Sequence, residues 1–184
     1  MGMTALGTPQ HAPHGADRER RAAAERWLYE AAASPALTAG EWAMQGVALL
    51  TAGITWDAVR APYTVLDPGF DRDTTPELLR HRLAELQLSA AAFSAYYRPH
   101  FYILVPPGTD RRWPHRDSPA GVECLGSART YINHIGVPRL DRTTPPGPFW
   151  LIPPDHGRRL ADPERLRAVL HACAEQLDQA PSTP

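Results

Sequence analysis

His100, Tyr102 and Glu123 have the strongest claim to chemistry in this 184-residue chain. His100 and Tyr102 stand two apart in the apolar run His100–Val105, so a β-strand there projects both from one face, with Leu104 next in line. Glu123 lies in a second β-prone run, Gly121–Leu125, and a neighbouring strand would carry it to the same face. A carboxylate and an imidazole from adjacent strands suit a divalent metal or a phosphate-bearing ligand. They equally suit a plain His–Glu hydrogen bond at a sheet edge. Asp57, beside Trp56, reads either as a weaker metal ligand or as a hydrogen-bonding residue near a turn.

A second group is basic and aromatic: Arg111, Arg112, Trp113, His115 and Arg116. Arginine with tryptophan can hold phosphates and stack a base, as proteins that bind single strands do. Arg98, two residues before His100, adds charge on the other side. Asp110, Asp117 and the intervening prolines also fit an ordinary solvated loop. Arg158-Arg159 precedes an acidic helix cap and reads as structural. His11 and His14 fall in a Gly/Pro-dotted stretch that reads as a tail and not a metal tract. His171, Cys173, Trp27, Trp42, Trp56 and Trp150 read as core. No Walker loop, G-x-G-x-x-G, H-E-x-x-H or nucleophile elbow occurs.

These residues need elements to hold them. Hydrophobic residues are 43% and charged residues 21% of the chain, ordinary for a globular domain with a real core. All 19 basic residues are arginine, which with the abundant alanine and proline reflects a high-G+C coding bias. A net charge of −1 argues against a dedicated nucleic-acid coat. Two cysteines, Cys124 and Cys173, make no disulfide framework and read as buried thiols of a reducing, cytoplasmic compartment. The longest apolar runs are strand-sized, so no membrane partner is expected.

Residues 1–16 read as a disordered leader, 17–180 as one domain and 181–184 as a flexible tail. A helix from Asp17 carries the stripe Ala23, Trp27, Leu28 and Ala31. Ser34-Pro35 opens a second helix bearing Trp42. Val47–Leu50 and Ile54–Val59 around Thr51-Ala-Gly53 predict a hairpin. Thr75-Pro76-Glu77 opens a helix with Leu78, Leu79, Leu83 and Leu86 on one face. Phe93–Tyr97 and His100–Val105 predict a second hairpin, followed by strands at Gly121–Leu125, Thr130–Ile135 and Pro148–Ile152. Gly108–Ala120 and Pro138–Gly147 read as loops. Asp162 and Pro163 begin a last helix with Leu166, Val169, Leu170, Cys173 and Leu177 at helical spacing. Helices, then strands, then a closing helix imply α+β, with a mixed or antiparallel sheet and flanking helices.

The chain also carries a succession of motifs: His100-Phe-Tyr-Ile-x-Val-Pro, Gly121-Val-Glu-x-x-Gly, a Tyr131 strand ending in Pro138, and Pro148-Phe-Trp150. Over Gly46 to Pro154 this resembles the bifunctional DNA primase/polymerase N-terminal family. More closely, the chain resembles short actinobacterial proteins of that family, which share Gly46–Leu50, Trp56-Asp57, Val105–Thr109, Trp150–Asp155 and the Asp162 helix. The resemblance implies a primase-type fold in which paired acids on one strand and a third on another hold two Mg or Mn ions. His100 matches the nucleotide-phosphate histidine, and Glu123 falls where the third acid stands. The paired acids are absent: the gap-free register puts Val59 and Ala61 in their places, with Asp57 two residues away.

The expectation that follows is a degenerate, non-catalytic domain binding a nucleotide or single-stranded nucleic acid. The rivals are a protein-binding regulatory domain and a metal-dependent nucleotidyltransferase in which Asp57 and Glu123 hold the metal.

Overall fold

In a computed structural model, the described residues are 14–95, 97–116, 118–127, 132–155 and 160–179. The leader up to residue 13, Tyr131, the Arg158-Arg159 pair and the tail lie outside them. The fold is α+β. Its centre is a five-stranded antiparallel sheet in the order β5-β2-β4-β3-β7, built from β2 (Asp57–Pro62), β3 (Ala92–Ala95), β4 (His100–Val105), β5 (Glu123–Leu125) and β7 (Phe149–Ile152). Strands β1 (Val47–Thr51) and β6 (His134–Pro138) form a separate two-stranded ribbon.

Alternation along the central strands divides the interior in two. Val59, Ala61, Phe101, Ile103 and Val105 face one way, into a core completed by α3 (Pro76–Glu85) and α4 (Pro163–Gln179). Ala58, Phe93, Leu104 and Trp150 face the other way, against the ribbon and the helices α1 (His14–Tyr29) and α2 (Pro35–Gln45). The result is three layers with the sheet in the middle. A strand pair covered on both sides needs near-continuous apolar sequence, and β2 and β4 have it until their outer ends.

Local chemistry sets the helix limits. Pro35 occupies the first turn of α2, and Gly46 ends that helix in the left-handed region at φ 71°, its N–H donating to the Trp42 carbonyl. Thr75 Oγ1 accepts the Leu78 N–H at the start of α3. Asp162 Oδ1 accepts the Arg165 N–H at 2.8 Å at the start of α4. Helix α1 begins at His14, three residues before the expected Asp17. Leu79 and Leu83 are the buried residues of α3, whereas Leu78 is on its exposed side.

The hairpin expected from Val47 to Val59 does not form. β1 pairs with β6, from Val47 opposite Pro138 to Thr51 opposite His134. β2 pairs with β4 and β5. The intervening turn carries the chain from one layer to the next, and wholly buried Trp56 sits at the crossing. Two β-prone runs and a short turn specify strands but not their partners, and here burial of both faces of β2 decides the pairing. The β3–β4 hairpin forms as the sequence predicts.

Two indoles fasten the ribbon. Trp42 Nε1 donates to the Val137 carbonyl and Trp150 Nε1 to the Pro138 carbonyl, each at 3.0 Å. Replacing Trp150 with Phe removes the second bond and leaves a buried carbonyl unpaired, at a cost of about 1–3 kcal/mol. Urea unfolding should show that loss as a lowered midpoint with an unchanged slope. A change below about 0.5 kcal/mol would mean the bond does not hold the layers together.

Candidate functional site

Strand register brings His100 and Glu123 to one face and puts an arginine between them. On β4, His100 lies opposite Pro62, and Tyr102 opposite Arg60. On β5, Glu123 lies opposite the same Arg60. Arg60 is therefore flanked by Tyr102 and Glu123 on the ribbon side of the sheet, and its Nη2 lies 2.6 Å from Glu123 Oε1. The ribbon-side core takes in Ala58 and Leu104 deeper along the same strands, but not Arg60, Pro62 or His100. These are only part-buried, at the strand end away from the core.

A cavity of about 230 Å3 opens there, lined by Arg60, Ala95, Tyr97, Arg98, His100, Tyr102 and Pro148. It is smaller than the roughly 300–1,000 Å3 of sites for drug-sized ligands. Its lining holds three basic side chains and two tyrosines but no carboxylate. Tyr102 is fixed by stacking on Phe93, with ring centroids 4.8 Å apart and planes 11° from parallel. Arg98 reaches the cavity from the exposed turn after β3.

The electrostatics favour an anion. Burial, then the neighbouring Arg60 and Arg98, lower the His100 pKa, against a smaller opposing pull from Glu123. His100 is thus neutral at pH 7. Among the described residues, His100 Nδ1 and Arg60 Nε are buried without a hydrogen-bond partner, as are Trp56 Nε1 and Asp57 Oδ1 away from the cavity.

Asp57 is not part of this group. Its position, opposite Val105, puts it on the α3/α4 side of the sheet, fully buried. There its Oδ2 accepts the backbone N–H of Asp110 at 2.9 Å. Gly126 lies against both acids, and a Cβ on it would clash with Asp110 Cγ and come 2.7 Å from Asp57 Cγ. Burial, reinforced by the Asp110 carboxylate, raises Asp57 to about 6 despite the backbone bond that favours its charged form. The same burial and both carboxylates push the Cys124 thiol upward, leaving it an inert core residue.

Trp113 is likewise removed from the site. It is 5% exposed within the α3/α4 core, its Nε1 donating to Ser118 Oγ, so it offers no ring for a base to stack on. Arg111, Arg112 and Arg116 are exposed on the same loop, which leaves the far end of β4 from His100. Arg112 borders a different cavity beside Glu164 and Arg167 of α4, where acid and base are already interleaved. Arg60 was absent from the expected set. A lone arginine within Ala58-Val59-Arg60-Ala61 is the signal that could have found it, because a charge inside an apolar strand marks the place where one face opens.

The site does not fit the paired divalent ions of a nucleotidyltransferase. Val59 and Ala61, where the resemblance would set the acids, point into the α3/α4 core. The residues of β2 that share the face of His100 are Ala58, Arg60 and Pro62. Glu123 is already ion-paired, and Asp57 lies on the other side of the sheet. Among the described residues, no group of three His, Cys, Asp or Glu side chains is placed to hold a metal ion. Comparison with known proteins adds no relative: no family model, curated protein or solved structure matches the chain.

The Asp57 pair has a testable pH signature. Its pKa is raised on folding, from about 3.9 unfolded. The stability it contributes is therefore fully present below pH ~4 and lost as pH rises through about 6. A shift of two units corresponds to roughly 3 kcal/mol. Asp57→Asn keeps an acceptor for the Asp110 N–H but carries no charge. Denaturant unfolding should find this variant equal to the wild type near pH 4 and more stable by up to roughly 3 kcal/mol at pH 7.5. A difference constant across that range would refute the raised pKa of Asp57.

Proposed function

We propose that this protein is a non-catalytic, nucleotide- or nucleic-acid-associated domain on a degenerate primase/polymerase-like sheet. Its ligand sets a phosphate among Arg60, Arg98 and His100. The observation that carries this reading is the cavity itself: three basic side chains and two tyrosines converge on it, without an acid in its lining. The primase part of the reading rests on the motif succession around His100 and Glu123. The phosphate part rests on the geometry of Arg60. A guanidinium suits phosphate because its planar fork of N–H donors matches two oxygens at once.

A rival reading, a protein-binding surface, has one specific support. Leu37 and Met44 of α2 and Leu49 of β1 are 70%, 86% and 56% exposed, on the outer layer of the fold. The sheet edges favour it less, since β5 has three residues and β7 four, too short to template another strand well.

Binding is best measured by the anisotropy of labelled nucleotides and a short single strand. Every tryptophan is buried away from the cavity and would report poorly. Affinity should fall with salt, with a log–log slope of about −1.4 for two phosphate contacts on a single strand. For a single strand, whose phosphodiesters stay ionised, it should also rise on acidification below the ordinary imidazole range, by at most tenfold per unit, because protonated His100 adds a third positive charge. Absence of binding at low salt with all four bases would remove the proposal. Primer extension should be undetectable with either Mg or Mn, and extension abolished by Glu123→Gln would favour the transferase reading.

A further inference from the structure

We infer that the Arg60 guanidinium, held by Glu123, takes the place of a divalent cation, so that the site binds phosphate free of metal and discriminates against its magnesium complex. The inference rests on the phosphate-binding reading above and adds which ionic form of the ligand is taken.

Position and charge carry the argument. Arg60 is on the middle strand of the β5-β2-β4 trio, between the residues that the two neighbouring strands present. Glu123 holds its Nη2 at 2.6 Å and so sets the plane of the guanidinium. One acid is thereby committed to a built-in cation. Arg98 and His100 complete the lining with a further positive charge and an imidazole. A magnesium ion wants about six oxygen ligands in octahedral array and surrenders its water reluctantly. Here it would meet two guanidinium groups and no uncommitted carboxylate. A phosphate carrying Mg2+ also arrives with much of its negative charge already neutralised, and its metal would be repelled by Arg60 and Arg98. The free phosphate has the opposite balance, gaining the Arg98 fork and the side of the Arg60 guanidinium turned away from Glu123 without bringing a competing cation.

Glu123 separates this scheme from metal binding, because its removal acts with opposite sign in the two. As a metal ligand, Glu123 would be needed for nucleotide affinity. As the counter-charge of Arg60, it weakens the field felt by an incoming anion, so its neutralisation leaves binding intact or tightens it.

The test uses the full chain and isothermal titration calorimetry with ADP, GDP, CDP and UDP in turn, in EDTA and then in saturating magnesium. The expected result is binding of at least one diphosphate in EDTA, weakened severalfold or more by magnesium. Glu123→Gln should bind in EDTA at least as tightly as the wild type. Arg60→Gln should weaken binding by about tenfold to a hundredfold, the range of a hydrogen bond to a charged group. Arg98→Gln, on an exposed turn where folding is not at stake, should weaken it in the same direction; a thermal melt monitored by circular dichroism verifies the folding of Arg60→Gln. Tighter binding with magnesium, or loss of binding in a folded Glu123→Gln, overturns the inference while leaving a phosphate site. No binding of any diphosphate in either condition removes the site and the inference together.

Discussion

Strands β2 and β4 must bury both faces along most of their length, and the rest of the molecule is arranged around that requirement. One face is met by α3, α4 and the loop that folds Trp113 inward. The other is met by a ribbon and two helices that supply Trp27, Trp42 and Leu50. This second layer is shorter than the sheet it covers. Where it stops, the ribbon-side positions change from Ala58 and Leu104 to Arg60, Pro62 and His100. The candidate site is thus a remainder of packing, the part of an apolar platform that the outer layer leaves uncovered.

The order of elements was largely legible because each has a local cause. Ser34-Pro35, Thr75-Pro76 and Asp162-Pro163 mark helix starts through capping oxygens or first-turn prolines, which act within a few residues. The β3–β4 hairpin was legible for the same reason. The partner of β1 was not. It lies some ninety residues away in β6, and nothing within Val47–Thr51 distinguishes a nearby partner from a remote one. Period-two alternation placed His100 and Tyr102 on one face correctly, but it is silent about which face of β2 meets them. That parity governs the site, since it brings Arg60 to His100 and takes Asp57 to the opposite side. Trp113 shows a related gap: a basic, proline-rich loop reads as solvated, although its tryptophan anchors it to the core.

Two pairs of charged groups on opposite sides of the sheet illustrate different answers to burial. Arg60 and Glu123 keep their charges, each about one-third exposed and matched to its opposite at close range. Asp57 is buried beside a second carboxylate, that of Asp110, so its neutral form is favoured instead. The first arrangement leaves a field that a ligand can feel. The second is enclosed between strand, loop and Gly126, on the side of the sheet away from the cavity.

The distribution of indoles has a consequence for spectroscopy. Of the five tryptophans, Trp27, Trp42, Trp56 and Trp150 belong to the ribbon-side core, and Trp113 alone to the helical side. Intrinsic emission is therefore weighted toward one layer of the fold. Far-ultraviolet dichroism draws on α3 and α4 as well as α1 and α2. Comparing the two signals through a denaturation curve would reveal whether the layers come apart together or in sequence, without any label being attached.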